Sequence, residues 1–395
     1  MNILQVIPFF APAWSWGGPP RLTYALSKEL VKRGHKVTVY TTDTLDKISR
    51  QEEKFLEMEG IKVFYFRNLS NSLASNHMLF FCPGMIPRLR REVKNFDVIH
   101  LQNYRDFLNV TVRYYANKYG IPYVLQANGS VLPIFRKQGL KRIFDKLFGY
   151  RVLEDAARVI ALHETEANEY KQMGVNQGKI VVVPPATPME DLFPLPPFGR
   201  FRRKYNIREK HMILFLGRIA QIKGIDFLVE SFYQLNQQRE DVMLAIVGPD
   251  GGYRSTLERL INNLGLSKKV LFTGFLGGVD KASAFVDASI LVQTSIYERG
   301  PGSPFEAILC NTPIIVTKDT GCADVVAEVD AGYLVKYGDV NELKTMMEKI
   351  LDDPTEARER TRKAKQYIIE NLSYEKRVED YERVYESVIE QRRVA

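Results

Sequence analysis

At 395 residues the chain is too long for one ordinary core, and two domains are expected. Its 45% apolar and 26% charged content is that of a globular protein and excludes a disordered or collagen-like chain. A formal charge of +8 favours anionic partners, whether nucleotide phosphates, lipid phosphates or nucleic acid. Cys82, Cys310 and Cys322 are few and widely spaced, and the five histidines have no metal-ligand spacing. A reducing compartment is expected, with neither a disulfide frame nor a structural zinc. No apolar run approaches the ~20 residues that span a bilayer. Residues 1–8 lack a basic n-region and a cleavage site and read as a first strand, so the expected location is the cytoplasm.

In chain order, a buried strand at 3–7 leads into a long glycine- and proline-rich loop, 8–20. The helix that follows has Pro19 and Pro20 in its first turn and apolar residues at Leu22, Ala25, Leu26, Leu30 and Val31. Gly34 ends it before a second strand, 36–42. Further strands are predicted at 61–66, 98–101, 123–126, 159–162 and 180–183, with helices near 86–95, 107–118, 139–156 and 164–173. Strand–helix alternation with buried strands means a doubly wound parallel sheet. The prolines of 184–188 and 193–197 read as a linker. A second series begins at 212–216 and continues with strands at 242–247, 270–273, 290–293, 314–317 and 332–335. Helices are predicted near 225–238, 253–264, 281–287, 304–310, 323–329 and 340–351, and charged amphipathic helices run from 354 to about 390 with a break at 371–373. The two halves repeat an architecture, Rossmann-like in each case, and two such domains with a hinge would enclose a cleft suited to two substrates.

Chemistry concentrates in the second half. Glu298 and Glu306 stand eight positions apart around a glycine–proline turn holding Gly300, Gly302 and Ser303. The turn leads into a short helix, entered at the serine, whose first N–H groups suit an anion or a sugar hydroxyl. The loop 217–224 carries Arg218 and Lys223 at the carboxyl end of a strand. A guanidinium and an ammonium there match a diphosphate, although two basic residues in a loop can equally be solvated. Gly248 opens another strand-to-helix loop. In the first half Gly17 and Gly18 precede a helix, where backbone can meet a phosphate. His100 and His163 each end a strand, where acceptor contact and a structural role are both open.

Taken together, the acid pair, the 217–224 loop and the Gly17-Gly18 loop with Lys32-Arg-Gly-His-Lys-Val-Thr-Val39 resemble the retaining glycosyltransferases of the GT-B fold, family four, whose signature is Glu-x₇-Glu. The resemblance covers essentially the whole chain. It implies a Rossmann-like acceptor domain (1–195), a Rossmann-like nucleotide-sugar domain (196–372) and a last helix (373–395) that returns to the first. It also implies transfer of a sugar from a nucleotide diphosphate to a hydroxyl of a glycan or a lipid-linked acceptor, without cofactor or divalent metal. By the same resemblance Arg218 and Lys223 would neutralise the diphosphate, Glu306 would accept from the ribose and Glu298 would hold the transferred sugar. Backbone around Gly300–Ser303, Gly248, Gly17 and Gly18 would approach the donor. Three departures stand out: Asn128 occupies the place of a common His, Arg299-Gly-Pro replaces Gly-Phe-Gly, and Pro184-Pro-Ala-Thr187 replaces Pro-Asn-Gly-Val. Asn128 can hydrogen-bond on the sugar side but cannot titrate.

The 135–151 stretch places Leu140, Ile143, Phe144, Leu147 and Phe148 on one helical face, with Arg136, Lys137, Lys141, Arg142, Lys146 and Arg151 beside it. An anionic membrane surface, on the inner face of the cytoplasmic membrane, and a core-packing helix with a solvated basic side both fit. Rival functions are a nucleotide-sugar epimerase or a phosphorylase on the same fold, and a non-catalytic nucleotide or nucleic-acid binder. Carboxylates among the basic loops would repel a polyanion, so no nucleic-acid partner is expected.

Overall fold

Buried parallel strands read as unbroken apolar runs, and both halves of the chain have them. The computed structural model describes the chain apart from residues 135–136, 188, 190–191, 299 and 395 and the side chains at 15, 75–77 and 394. It divides into two compact units, Met1–Pro188 with Tyr374–Ala395, and Met189–Ser373. The second unit begins at Met189, and its core takes in Leu192 and Phe201.

The first unit contains β1 (Asn2–Val6), β2 (Lys36–Thr42), β3 (Phe55–Met58), β4 (Ile61–Phe66), β5 (Val98–Gln102), β6 (Tyr123–Gln126), β7 (Arg158–Ala161) and β8 (Ile180–Val182). They form one sheet in the order β3-β4-β2-β1-β5-β6-β7-β8. All pairs are parallel except the β3–β4 edge hairpin. The last helix, Tyr374–Val394, belongs to this unit. It sends Val378, Tyr381, Val384, Tyr385 and Val388 into the first core, and its Glu382 meets Arg33 and His35 at 2.9 and 2.7 Å. The Lys32–Lys36 motif is therefore where this helix is anchored.

The second unit has β9 (His211–Leu216), β10 (Val242–Val247), β11 (Val270–Gly274), β12 (Ile290–Gln293), β13 (Ile314–Thr317) and β14 (Tyr333–Val335), all parallel, in the order β11-β10-β9-β12-β13-β14. Alternation along β9 sends Met212 and Leu214 into one apolar cluster and Ile213 and Phe215 into another. The chain winds outward from β9 to β11, then restarts at β12 on the other side of β9. This switch point lies between β9 and β12.

Several expectations are corrected. The predicted 139–156 helix is broken into Gln138–Phe144, a π-helical turn at Asp145–Gly149, and Tyr150–Glu154. Asp145 is buried and held by Arg105 at 2.8 and 2.7 Å, and Gly149 leaves no room for a side chain against Tyr104 and Asp145. The segment's five apolar residues divide between packing and solvent. Phe144 and Phe148 pack on Phe107, whereas Leu140, Ile143 and Leu147 are 60, 57 and 57% exposed. Arg136 lies outside the described residues. The strand Phe55–Met58 and the helices Asn71–His77 and Arg200–Lys204 were not expected.

Candidate functional site

Crevices in open α/β sheets lie beyond the carboxyl ends of the strands at the switch point. Here those ends are Leu216 of β9 and Gln293 of β12, and the loops that follow them are tied together. Ile296 N–H donates to Ile222 C=O at 2.9 Å, and Thr294 Oγ1 to Lys223 C=O at 3.2 Å. Gly224 sits at φ 56°, and a β-carbon on it would fall 2.2 Å from Thr294 O. Only glycine admits this approach, and the approach brings Lys223 against Glu298.

Glu298 Oε2 is ion-paired with Lys223 Nζ and also accepts from Gln293 Nε2 at 3.1 Å and Ser295 Oγ at 3.2 Å. Glu306 lies on the helix Gly302–Leu309, where Lys281 Nζ reaches its Oε1 at 2.7 Å. Both acids of the Glu-x₇-Glu pair are thus bound to a lysine. Arg218 is exposed on the loop after β9. The loop after β10 lies against it: Gly217 N–H donates to Val247 C=O, Ile219 N–H to Pro249 C=O and Gly251 N–H to Ile219 C=O, at 2.9, 2.9 and 2.8 Å. Gly248, at φ 147°, has Gly217 O where a β-carbon would stand, 1.9 Å away. Its role is to let two loops touch.

The helix Gly302–Leu309 is not entered at a serine. Pro301 precedes it, with no side-chain cap and no acid in the first turn, so Gly302 and Ser303 both lie inside it. Beside Gly300 and Gly302 nothing stands within 4 Å of an added β-carbon. Arg299 lies outside the described residues. Sequence reasoning missed Lys281, Gln293 and Ser295. The signal for Lys281 was a lysine on the apolar stripe of its helix, one turn before Ala284 and Phe285.

In the first unit, Gly17 (φ 96°) caps the helix Gly18–Lys32, with open space around both glycines and no acid in the first turn. Asn128, at φ 49°, donates from Nδ2 to Gln102 Oε1 at 2.9 Å and accepts from Gln126 Nε2 at 2.8 Å. His100 does not line an open surface. It is fully buried beneath the last helix, with Nδ1 2.8 Å from the Tyr385 hydroxyl, and burial lowers its pKa to about 3. His163 is buried at the start of the helix Glu164–Gln172, where its Nδ1 accepts from Glu166 N–H at 3.2 Å. Among the described residues no three His, Cys, Asp or Glu side chains form a metal-binding group, and no helix is long and apolar enough to cross a membrane.

A family model described as Glycosyltransferase Family 4 matches residues 16–191, and one described as Glycosyl transferases group 1 matches residues 198–367. The chain is 29% identical to a 2-deoxystreptamine glucosyltransferase of Streptomyces kanamyceticus over 60% of this chain and 62% of that one, less than two thirds of the relative's length. It is 24% identical to an uncharacterized glycosyltransferase of Methanocaldococcus jannaschii over 95% of this chain and 97% of the other. Among solved structures, Anabaena HepE in complex with UDP and glucose superposes with a TM-score of 0.75 at 18% identity, over 98% of this chain and 100% of that one. At that identity the likeness speaks for the fold, which is GT-B.

Proposed function

The chain belongs to the group 1 glycosyl transferases, and on that premise we propose that it moves a sugar, with retention of anomeric configuration, from a nucleotide diphosphate to a hydroxyl of a glycan or lipid-linked acceptor. The observation that carries this reading is the pairing of both acids with lysines at the β9/β12 switch point. Breaking the anomeric C–O bond gives an oxocarbenium-like sugar and puts negative charge on the departing diphosphate. Fixed cations stabilise that charge most. Arg218 and Lys223 supply them, Lys223 being shared between the diphosphate and Glu298, and their presence supports turnover without a divalent metal. Glu298, held at Oε2 by Gln293 and Ser295 as well, positions the sugar hydroxyls. Glu306 accepts from the ribose, and N–H groups around Gly302 and Ser303, with Gly248 allowing close backbone approach, line the donor. The acceptor oxygen attacks on the face the leaving group departs from and gives its proton to a phosphate oxygen.

Incubation with UDP-, GDP- and ADP-sugars in EDTA tests this. One donor should release its nucleotide diphosphate, with acceptor-stimulated turnover and a product anomer matching the donor by NMR. Inversion, an epimerised sugar, or turnover only after Mg²⁺ or Mn²⁺ is added would defeat the corresponding part of the reading.

A lipid-linked acceptor is favoured by the surface of the first unit. Leu140, Ile143 and Leu147 are exposed, and Phe144 and Phe148 on the same segment pack edge-to-face on Phe107, which meets exposed Phe81 at 5.7 Å. Leu69, Leu73 and Met78 are exposed in the segment leading to Phe81, and Arg142 and Lys146 stand beside the 140–147 row. An apolar patch with basic residues at its side suits the interface of an anionic bilayer. Phosphatidylglycerol vesicles should retain the protein at low salt, and phosphatidylcholine vesicles should not. Arg142→Gln with Lys146→Gln should weaken retention, and equal binding to both vesicles would remove this part of the proposal.

A further inference from the structure

We propose that Lys281 is a positioning residue for Glu306 and so sets the discrimination between ribose and deoxyribose in the nucleotide. The inference rests on the donor-site reading above. Lys281 lies on the helix Gly278–Asp287, and its side chain is 9% exposed, against 16% for Glu306. Of the two side chains the lysine is the more buried and the glutamate the more accessible to a ligand. With Nζ at 2.7 Å from Oε1, Oε2 is the carboxylate oxygen left to accept from a ligand.

Desolvating a lysine for one carboxylate is a poor way to join two helices, since a well-packed apolar pair does so as well or better. What the ion pair adds is direction. A glutamate has three rotatable torsions, and an ammonium fixed on one oxygen removes most of that freedom before a ligand arrives. It also cancels the Glu306 charge, which would otherwise repel the diphosphate that Arg218 and Lys223 attract. Nothing in the Glu-x₇-Glu spacing itself requires a lysine at 281.

The experiment measures Kd by calorimetry for UDP, GDP and ADP with the purified full chain. The tightest of the three is then compared with its 2′-deoxy and 3′-deoxy forms. The wild type should prefer the ribonucleotide by about tenfold or more, the worth of a hydrogen bond to a charged group. Glu306→Ala should abolish that preference. Lys281→Met should remove most of it and raise the donor KM with kcat changed much less, whereas Lys281→Arg, which can still hold the carboxylate, should keep it. Lys281→Gln serves as a second neutral variant should Lys281→Met fold poorly, and thermal unfolding of each variant is measured first. If Lys281→Met and Lys281→Gln keep the wild-type ratio while Glu306→Ala loses it, the ion pair is only a tie between helices and the inference is overturned. If Glu306→Ala itself keeps the ratio, the assignment of Glu306 to the ribose fails and the inference falls with it.

Discussion

The carboxyl ends of the two sheets carry polar side chains of opposite kinds. In the first unit Gln102 Nε2 donates to Gln5 Oε1 at 3.3 Å, Gln5 Nε2 to the Tyr385 hydroxyl at 3.4 Å, and the same hydroxyl meets His100 at 2.8 Å. Asn128 joins Gln126 to this chain of amides. All but Asn128 are buried, and with His100 held neutral the group carries no charge. In the second unit the equivalent ends carry two carboxylates and two lysines, with side chains 9 to 20% exposed. A neutral, buried network of amides, in which His100 Nε2 and Gln126 Oε1 have no partner among the described residues, fixes shape more than it offers charge to a ligand. Charged pairs at a rim can exchange one partner for an arriving anion or hydroxyl. The difference separates a scaffold from a site.

Four substitutions would sharpen or break that contrast. The largest effect is expected from Glu298→Ala, which should lower kcat by about 10²–10³ while changing nucleotide affinity little, as measured by steady-state kinetics and calorimetry. Next, Tyr385→Phe should cost about 1–3 kcal/mol of stability in denaturant unfolding and leave kcat and KM unchanged, because it strands His100 and Gln5 in the core. A kinetic defect without a stability loss would instead move the amide network into the site. Glu306→Ala should raise the donor KM about tenfold, with a smaller effect on kcat. The smallest is a pH effect. Since the folded pKa of His100, about 3, is below its unfolded value of 6.5, its contribution to stability is whole above pH 6.5 and is lost as pH falls toward 3. At pH 5.5 the loss should be about 1 kcal/mol, and His100→Gln should abolish that increment.

Much of this molecule is legible in the sequence, for a physical reason. Parallel strands read as continuous apolar runs, and thirteen are legible to within a residue or two of their limits, including the edge strands Ile180–Val182 and Val270–Gly274, in which no residue is fully buried. The fourteenth, Phe55–Met58, is an antiparallel edge strand whose short apolar run is broken by Glu57, so it carries no such imprint. The π turn at Asp145–Gly149 comes from Tyr104 and Arg105, forty residues away, and local periodicity does not report it. Of the two roles open to His100 the structural one fits its burial, and local sequence does not decide between them because the residue that covers it, Tyr385, lies 285 positions on. In the site, Arg218, Lys223 and Glu298 stand out because segments at strand ends carry them, and Glu306 by its spacing from Glu298. Lys281, on a helix face among alanines, does not.

Residues 374–394 complete a core that the first 188 residues begin. During synthesis the second unit can therefore close while the first still lacks Val378, Tyr381, Tyr385 and Val388. Until residues 374–394 leave the ribosome, the strand ends bearing Gln5 and His100 are uncovered. The unit that is started first is closed only after the second has been made.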